Sequence, residues 1–265
     1  MELDGQEKII VIKIGGSTLG SHDTTIEDLV ELQRLGKRVV VVHGGGKIIS
    51  EWVTKQGVSA EFVRGERVTD KPTLDVVMAI LAGLVNKEIV AAINDLGGRA
   101  VGLSGVDGRI IQGRIKSAQM GYVGVVTGID ATLLNSLLEM KFIPVIAPIA
   151  LNVEAKENEA KSLNVNADTV AGDIATAIEA DKLVFLTDVD GVRDASGNLL
   201  PYLSSVEAEA LVSAGVATGG MVPKINACLE AVNHNTHTCI IDSRKPHVLL
   251  DYVDGRESGT IINRP

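Results

Sequence analysis

Apolar runs of five or six residues, closed by glycine or a polar residue, alternate along the chain with longer stretches whose apolar residues recur every three or four positions. The first pattern is that of strands buried on both faces, the second that of helices packed against them. Strands are predicted at Ile9–Ile14, Arg38–Val42, Ala100–Ser104, Ile143–Ala147, Lys182–Thr187 and His237–Ile241. Helices are predicted after Asp23, Gly46, Pro72, Asp130, Ala167 and Gly220. This alternation predicts an α/β fold, a three-layer αβα sandwich with a mainly parallel central sheet. Shorter alternating segments, Ser59–Val68 and Arg109–Lys116 with Val123–Thr127, predict added β-hairpins. Leu151–Lys161, rich in charge and Asn, reads as an exposed turn or hairpin between two halves.

The 265 residues are 45% hydrophobic but only 3% aromatic, so one large domain or two joined lobes can be filled with Val, Ile, Leu and Ala. A net charge of −9 argues against a broad nucleic-acid or anionic-membrane surface; an anionic ligand then needs a local cationic pocket. Cys228 and Cys239 lack metal-ligand spacing, nothing before Ile9 resembles a secretory leader, and uninterrupted apolar runs are short for a bilayer. A cytoplasmic protein is expected.

Two junctions carry the first chemical signal. Lys13 ends an apolar strand ahead of Gly15 and Gly16, and Val39–Val42 runs into His43, Gly44, Gly45, Gly46 and Lys47. Glycines between strand and helix let backbone amides approach an anion, and a lysine adds full charge. One such junction is as well explained by a tight turn with a solvated lysine; two at the carboxyl edge of one sheet favour anion binding. Neither fits the dinucleotide fingerprint or a Walker A loop, because the glycines fall out of register and Ile48 follows Lys47.

Three further segments add side chains. Arg67 precedes Val68, Thr69 and a helix; its planar fork suits a carboxylate, although a charge guarding a strand edge is the blander account. In Asn164–Asp168, Asn166 suits an N-cap and Asp168 a first-turn acid, or the pair of Asn164 and Asp168 serves substrate and phosphoryl. Lys224 falls in the first turn after Gly220, where the helix dipole disfavours a cation, so a polyanion in front of that helix would explain it. The acidic turn Asp188-Val189-Asp190-Gly191 could hold nucleotide groups or merely turn the chain. His22, His43, His234, His237 and His247 show no zinc spacing and read as structural or exposed.

In order, Lys13-Ile14-Gly15-Gly16, His43-Gly44-Gly45-Gly46, Arg67-Val68-Thr69, Asn164-Val165-Asn166-Ala167-Asp168 and Gly220-Met221-Val222-Pro223-Lys224 resemble the N-acetylglutamate kinases of the amino acid kinase family, from about Ile9 to Ile262. Val85–Glu88, Gly102–Gly105 and Ile143–Pro148 also look familiar. The resemblance implies one domain over 1–265, with acetylglutamate binding and dimerisation in 1–165 and ATP binding in 166–265. It implies that Lys13 and Lys224 stabilise the transferring phosphoryl while Asp168 holds both. Gly45, Gly46, Arg67 and Asn164 would bind acetylglutamate, and Gly15 and Gly16 would contact phosphate. Thr187, Asp188, Gly191, Val216, Thr218, Gly219 and Met221 would line the nucleotide site. Mg²⁺ would be held mainly by ATP phosphates, with no protein metal ligand. The reaction implied is ATP-dependent phosphorylation of the γ-carboxylate of N-acetyl-L-glutamate, in arginine biosynthesis.

Arginine-inhibited family members carry an extra N-terminal helix, whereas about eight residues precede the first strand here, so an arginine-insensitive homodimer is expected. Nothing in the residues supports a PII-type regulator. Relatives more often have an uncharged residue beside the arginine, where this chain has Glu66. The rivals are a kinase for carrier-linked aminoadipate or glutamate, a nonenzymatic anion-binding protein of the same fold, and a nicotinamide oxidoreductase, which the glycine register disfavours.

Overall fold

A computed structural model describes residues 8–15, 24–55, 61–63, 66–256 and 258–264. Gly16, Ser17, His22, Asp23, Arg64 and Gly65 lie outside these residues. In chain order the first elements are β1 (Ile9–Ile14), α1 (Thr25–Arg34), β2 (Arg38–His43) and α2 (Gly46–Lys55). The short β3 (Phe62–Val63) and β4 (Glu66–Arg67) follow. Next come α3 (Lys71–Met78), a π-helical segment (Ala79–Val85) and α4 (Asn86–Asp95), which run on as one helix. The middle of the chain holds β5 (Ala100–Ser104), β6 (Ile111–Ile115), β7 (Gly124–Ile129), α5 (Thr132–Glu139), β8 (Ile143–Ala147), β9 (Ile149–Asn152) and β10 (Ser162–Asn164). Then follow α6 (Ala167–Ala177), β11 (Lys182–Thr187), β12 (Tyr202–Ser204), α7 (Ser205–Ser213) and α8 (Met221–Asn233). The chain closes with β13 (His237–Asp242), α9 (Val248–Val253) and β14 (Thr260–Asn263).

Eight strands form one sheet in the order β12-β14-β13-β11-β1-β2-β8-β5, parallel throughout except for the β13–β14 pair. Its five central strands are the apolar runs of the sequence, which bury both faces between helix layers. On one face Val11, Val40 and Val42 pack with Val170 and Ala171 of α6 and Ile225 and Cys228 of α8. On the other, Ile10, Ile12, Ile14, Val39 and Val41 pack with α1, α2, α9 and the long helix. Successive side chains of a strand point to opposite faces. Lys13 therefore shares the face of Val11, under the helices α6 and α8. Strand period and helix order thus send this lysine toward Asp168 and Lys224 before any chemistry is invoked.

The predicted hairpins are present. β6 pairs antiparallel with β7, and β3 with β4. Within Leu151–Lys161, Leu151 and Asn152 end β9 and residues 153–161 link it to β10; the two strands pair antiparallel, and with β6 and β7 they make a separate four-stranded sheet, order β10-β9-β6-β7.

Uninterrupted apolar runs are short, but the continuous helix Lys71–Asp95 is long and apolar enough to cross a membrane by length and composition alone. It lies along the sheet, with Val77, Ile80, Leu81, Val85, Ile89 and Ile93 buried in the core. Asp70 caps its start by accepting from the Thr73 amide at 2.9 Å, and Pro72 occupies the first turn, where its missing N–H costs nothing.

Candidate active site

The carboxyl ends of β1 and β2 lie side by side, with Lys13 paired in register with Val42 and Ile14 with His43. Both glycine junctions therefore open at one edge of the sheet, as the sequence predicted. Lys13 is only 6% exposed, which removes the account of it as a solvated turn lysine. Its Nζ lies 2.8 Å from Oδ1 of Asp168, and Lys224 Nζ lies 3.0 Å from Oδ2 of the same carboxylate. Burial pushes the Asp168 carboxyl up, but the two ammonium groups outweigh it and hold it below the ordinary range. Burial is also the main influence that lowers Lys13, opposed by Asp168 and reinforced by Lys224. Desolvation outweighs the effect of either charged neighbour on Lys13.

Asn166 is the N-cap of α6, its Oδ1 accepting from the amides of Asp168 at 2.8 Å and Thr169 at 3.1 Å. The cap fixes the first turn, and that turn delivers Asp168 beneath Lys13. Lys224 sits in the first turn of α8 against the dipole preference, and the Asp168 carboxylate is what holds it there.

Beside this triplet is a cavity of about 200 Å³ lined by Lys13, Asp168, Gly44, Gly45, Gly46, Arg67 and Asn164, with Ile49, Phe62, Leu81, Val123 and Pro148 among its apolar walls. Arg67 is 7% exposed and so does not guard a strand edge. Its Nη2 donates to Ser50 Oγ at 2.6 Å and Gly46 O at 3.2 Å, and its guanidinium stacks 4.6 Å from the Phe62 ring centroid. Its Nη1 is buried without a hydrogen-bond partner among the described residues. An unpaired cationic donor at a cavity wall calls for an anionic oxygen, because leaving it unmet is costly. Asn164 Nδ2 donates to Thr69 Oγ1 at 3.0 Å, which in turn donates to Arg67 O at 2.8 Å, so Asn164 also steadies the strand that carries the arginine. Glu66 is paired with Lys116, just past the end of β6, at the edge of this cavity, which neutralises the unexpected acid.

A second cleft of about 610 Å³ is lined by Asp188, Gly191, Val216, Thr218 and Met221, five of the residues expected around a nucleotide. It also takes in Asp190, from the acidic turn read in the sequence, and Arg193, Asp194, Asp242, Arg244 and Lys245, which the sequence did not single out. The signal for Arg244 was available in retrospect: it follows the carboxyl end of β13, the edge where α/β sheets bind ligands. Thr187 is buried at the end of β11, its carbonyl accepting from Ser243. Gly219 lies apart from this cleft, beside Gly220 on a third one of about 670 Å³ that reaches Asn166 and Asp168. The Gly15 amide donates to Leu186 O at 3.2 Å, and Gly16 lies outside the described residues. Of the histidines, His43 is buried while His234, His237 and His247 are exposed.

Residues 8–242 match the model of the amino acid kinase family. The chain is 46% identical over 255 residues to an acetylglutamate kinase of Dehalococcoides mccartyi, covering 96% of this chain and 94% of that protein. Among solved structures it resembles smu.665 from Streptococcus mutans, with a TM-score of 0.83 and 29% identity over 97% of this chain and 99% of that one. It also resembles the N-acetylglutamate synthase of Neisseria gonorrhoeae complexed with coenzyme A and N-acetyl-glutamate, with a TM-score of 0.84 and 26% identity over 97% of this chain and 60% of that one.

Proposed function

The chain belongs to the amino acid kinase family, and from that premise we propose that it phosphorylates the side-chain carboxylate of N-acetyl-L-glutamate with ATP, using Lys13, Lys224 and Asp168. The observation that carries this reading is a buried carboxylate gripped by two ammonium groups, next to a cavity whose arginine keeps one donor unmet.

A glutamate-type side-chain carboxylate has a pKa of about 4.3, so the nucleophile arrives ionised and needs no general base. The barrier is the approach of one anion to another. Lys13 and Lys224 place positive charge where the transferring group develops negative charge, and Asp168 holds both ammonium groups in register. The unmet Arg67 donor takes the α-carboxylate of the acceptor, and the Gly45 and Gly46 backbone receives the reacting end. ATP fits the second cleft, where Arg193, Arg244 and Lys245 offer cations to phosphate and Asp188 and Asp190 offer carboxylates toward a nucleotide-borne cation. Magnesium bound on the ATP phosphates would supply further charge neutralisation there.

On this reading residues 1–165 bind the acceptor and residues 166–265 the nucleotide, within one continuous sheet. We also place the protein in the cytoplasm, with Cys228 and Cys239 as buried free thiols, as a homodimer formed by its N-terminal half. The long helix turns Leu84, 38% exposed, to the outside of that half. Light scattering tests the dimer, and a hexamer would contradict it. The activity is tested by ADP release with acetylglutamate, glutamate, aspartate, aminoadipate and carbamate in parallel, trapping the acyl phosphate with hydroxylamine. A clear preference for acetylglutamate is expected; equal or greater turnover of another acceptor would overturn the assignment.

A further inference from the structure

Three stretches of sequence that the proposed chemistry leaves idle, Val85–Glu88, Gly102–Gly105 and Ile143–Pro148, meet at one buried side chain. Asn86 begins α4, where the long helix returns from π-helical to α-helical geometry, and such widened turns are frequent at functional sites. Its Nδ2 lies 2.9 Å from Val145 O, 3.3 Å from Leu103 O and 3.2 Å from His43 Nε2. Its Oδ1 accepts from Lys87 Nζ at 2.9 Å, and the same ammonium donates to Gly102 O at 3.0 Å. Gly102 leaves room for this arrangement: a Cβ there would run into Asn86 Oδ1 and lie 2.7 Å from Lys87 Nζ.

These partners fix the chemistry of His43. Two carbonyl oxygens require the NH₂ side of the Asn86 amide, and an ammonium requires its oxygen. An NH₂ group facing Nε2 requires that nitrogen to be unprotonated, so the ring proton sits on Nδ1. From there it is donated to Gly44 O at 3.0 Å. Burial pushes His43 down to about 4, so the ring is neutral at physiological pH. The charged groups that face it are Lys13 of β1 and Lys87 of α4; β5, β8 and the π-helical segment carry no ionisable side chain.

Gly44 is thereby held through both of the peptide groups that flank it, its amide donating to Ile14 O at 3.0 Å and its carbonyl accepting from the ring. A trans peptide points its C=O and the next N–H in opposite directions. Pinning Gly44 O against the imidazole turns the Gly45 N–H to the other side, toward the cavity that Gly45 lines. The π-helical segment backs this peptide so closely that a Cβ on Gly45 would lie 2.6 Å from Leu81 Cδ2.

We propose that Asn86, acting through the His43 ring and steadied by Lys87, is a positioning residue that aims the Gly45 amide at the acceptor carboxylate. The inference rests on the acceptor site assigned above and adds to it the device that orients one of its donors.

The test separates the substrates. Losing one oriented hydrogen bond should raise the KM for acetylglutamate in Asn86→Ala by roughly three- to tenfold while leaving the KM for ATP unmoved. Lys87→Met, at an exposed site, should move it the same way by less. Asn86→Asp gives the sharper readout: a carboxylate facing Nε2 draws the proton there, so Nδ1 can donate to Gly44 O only when the ring is doubly protonated. In that variant acetylglutamate binding should tighten as pH falls from about 8 to 6, while the wild type stays flat. Folded variants with an unchanged acetylglutamate KM, or a parallel change in both KM values, would overturn the proposal, as would a flat Asn86→Asp profile. Should both Asn86 variants fail to fold, an unchanged KM in Lys87→Met overturns it. A wild type unable to phosphorylate acetylglutamate sinks the underlying assignment instead.

Discussion

Around the acceptor cavity the charged groups are buried and joined across the fold: Lys13 of β1 and Lys224 of α8 meet on Asp168 of α6. Around the nucleotide cleft Arg193 reaches Asp190 and Arg244 reaches Asp242, partners two or three residues away in the chain, and both arginines keep more than half their side-chain surface in solvent. Long-range buried contacts hold their geometry only when the whole sheet and both helix layers are in place, and then they hold it rigidly. Local exposed pairs form on any turn and exchange readily with water or ligand. The acceptor side is thus organised in advance, where misplacement by an ångström costs rate, and the nucleotide side can re-pair its cations when phosphate arrives.

Asp168→Asn strikes that contrast hardest. It leaves two ammonium groups facing each other without their shared carboxylate, and breaking a buried ion pair of this kind costs roughly 3–5 kcal/mol. Urea denaturation at neutral pH should show that loss together with a collapse of turnover. Because the folded carboxyl lies below its ordinary range, the stability it contributes is present above the unfolded pKa and fades as pH falls through the folded one. The gap between wild type and variant should therefore narrow below about pH 5. Unaltered turnover in Asp168→Asn would remove the residue from the mechanism.

Lys13→Ala and Lys224→Ala come next, each lowering kcat by roughly 10²–10³-fold by loss of one preorganised electrostatic group. The two should differ in their neighbours. Burial lowers the Lys13 ammonium, so wild-type kcat should decline on the alkaline side before pH 10.5, and Lys13→Arg should move any residual activity's decline upward. Arg67→Lys should leave kcat nearly intact but raise the KM for acetylglutamate roughly ten- to hundredfold, because the single nitrogen of a lysine cannot both hold Gly46 O and Ser50 Oγ and stand where Nη1 meets the cavity.

The same contrast explains what could be read from the sequence. Buried parallel strands appear as apolar runs, and all six predicted strands are present, four with the predicted bounds and β2 and β13 longer by one residue. The strands β9, β10, β12 and β14 and the helices α7 and α9 were not predicted. These strands are only three or four residues long, so their pattern is weak, although Ser204 and Glu207 spell the capping box that starts α7. At the site, lysines and glycines at strand ends were legible because they violate local preference. Arg193, Arg244 and Lys245 were not, because an arginine two or three residues from an aspartate looks like any surface pair. The Asn86 junction was visible only as familiar sequence; its meaning needs the four segments that meet there.

The smallest expected effect therefore lies with those arginines. Each is already neutralised by its own carboxylate and bathed in solvent, so its attraction for phosphate is screened and partly spent. Arg193→Ala and Arg244→Ala should raise the KM for ATP by no more than about fivefold at physiological salt, with the KM for acetylglutamate unchanged. Lowering the ionic strength should enlarge the effect, whereas the Lys13 and Arg67 variants, whose groups are buried, should respond little to salt. A salt-independent loss of hundredfold or more in Arg244→Ala would show that the nucleotide side is as rigidly organised as the acceptor side, and the distinction between the two regions would fall.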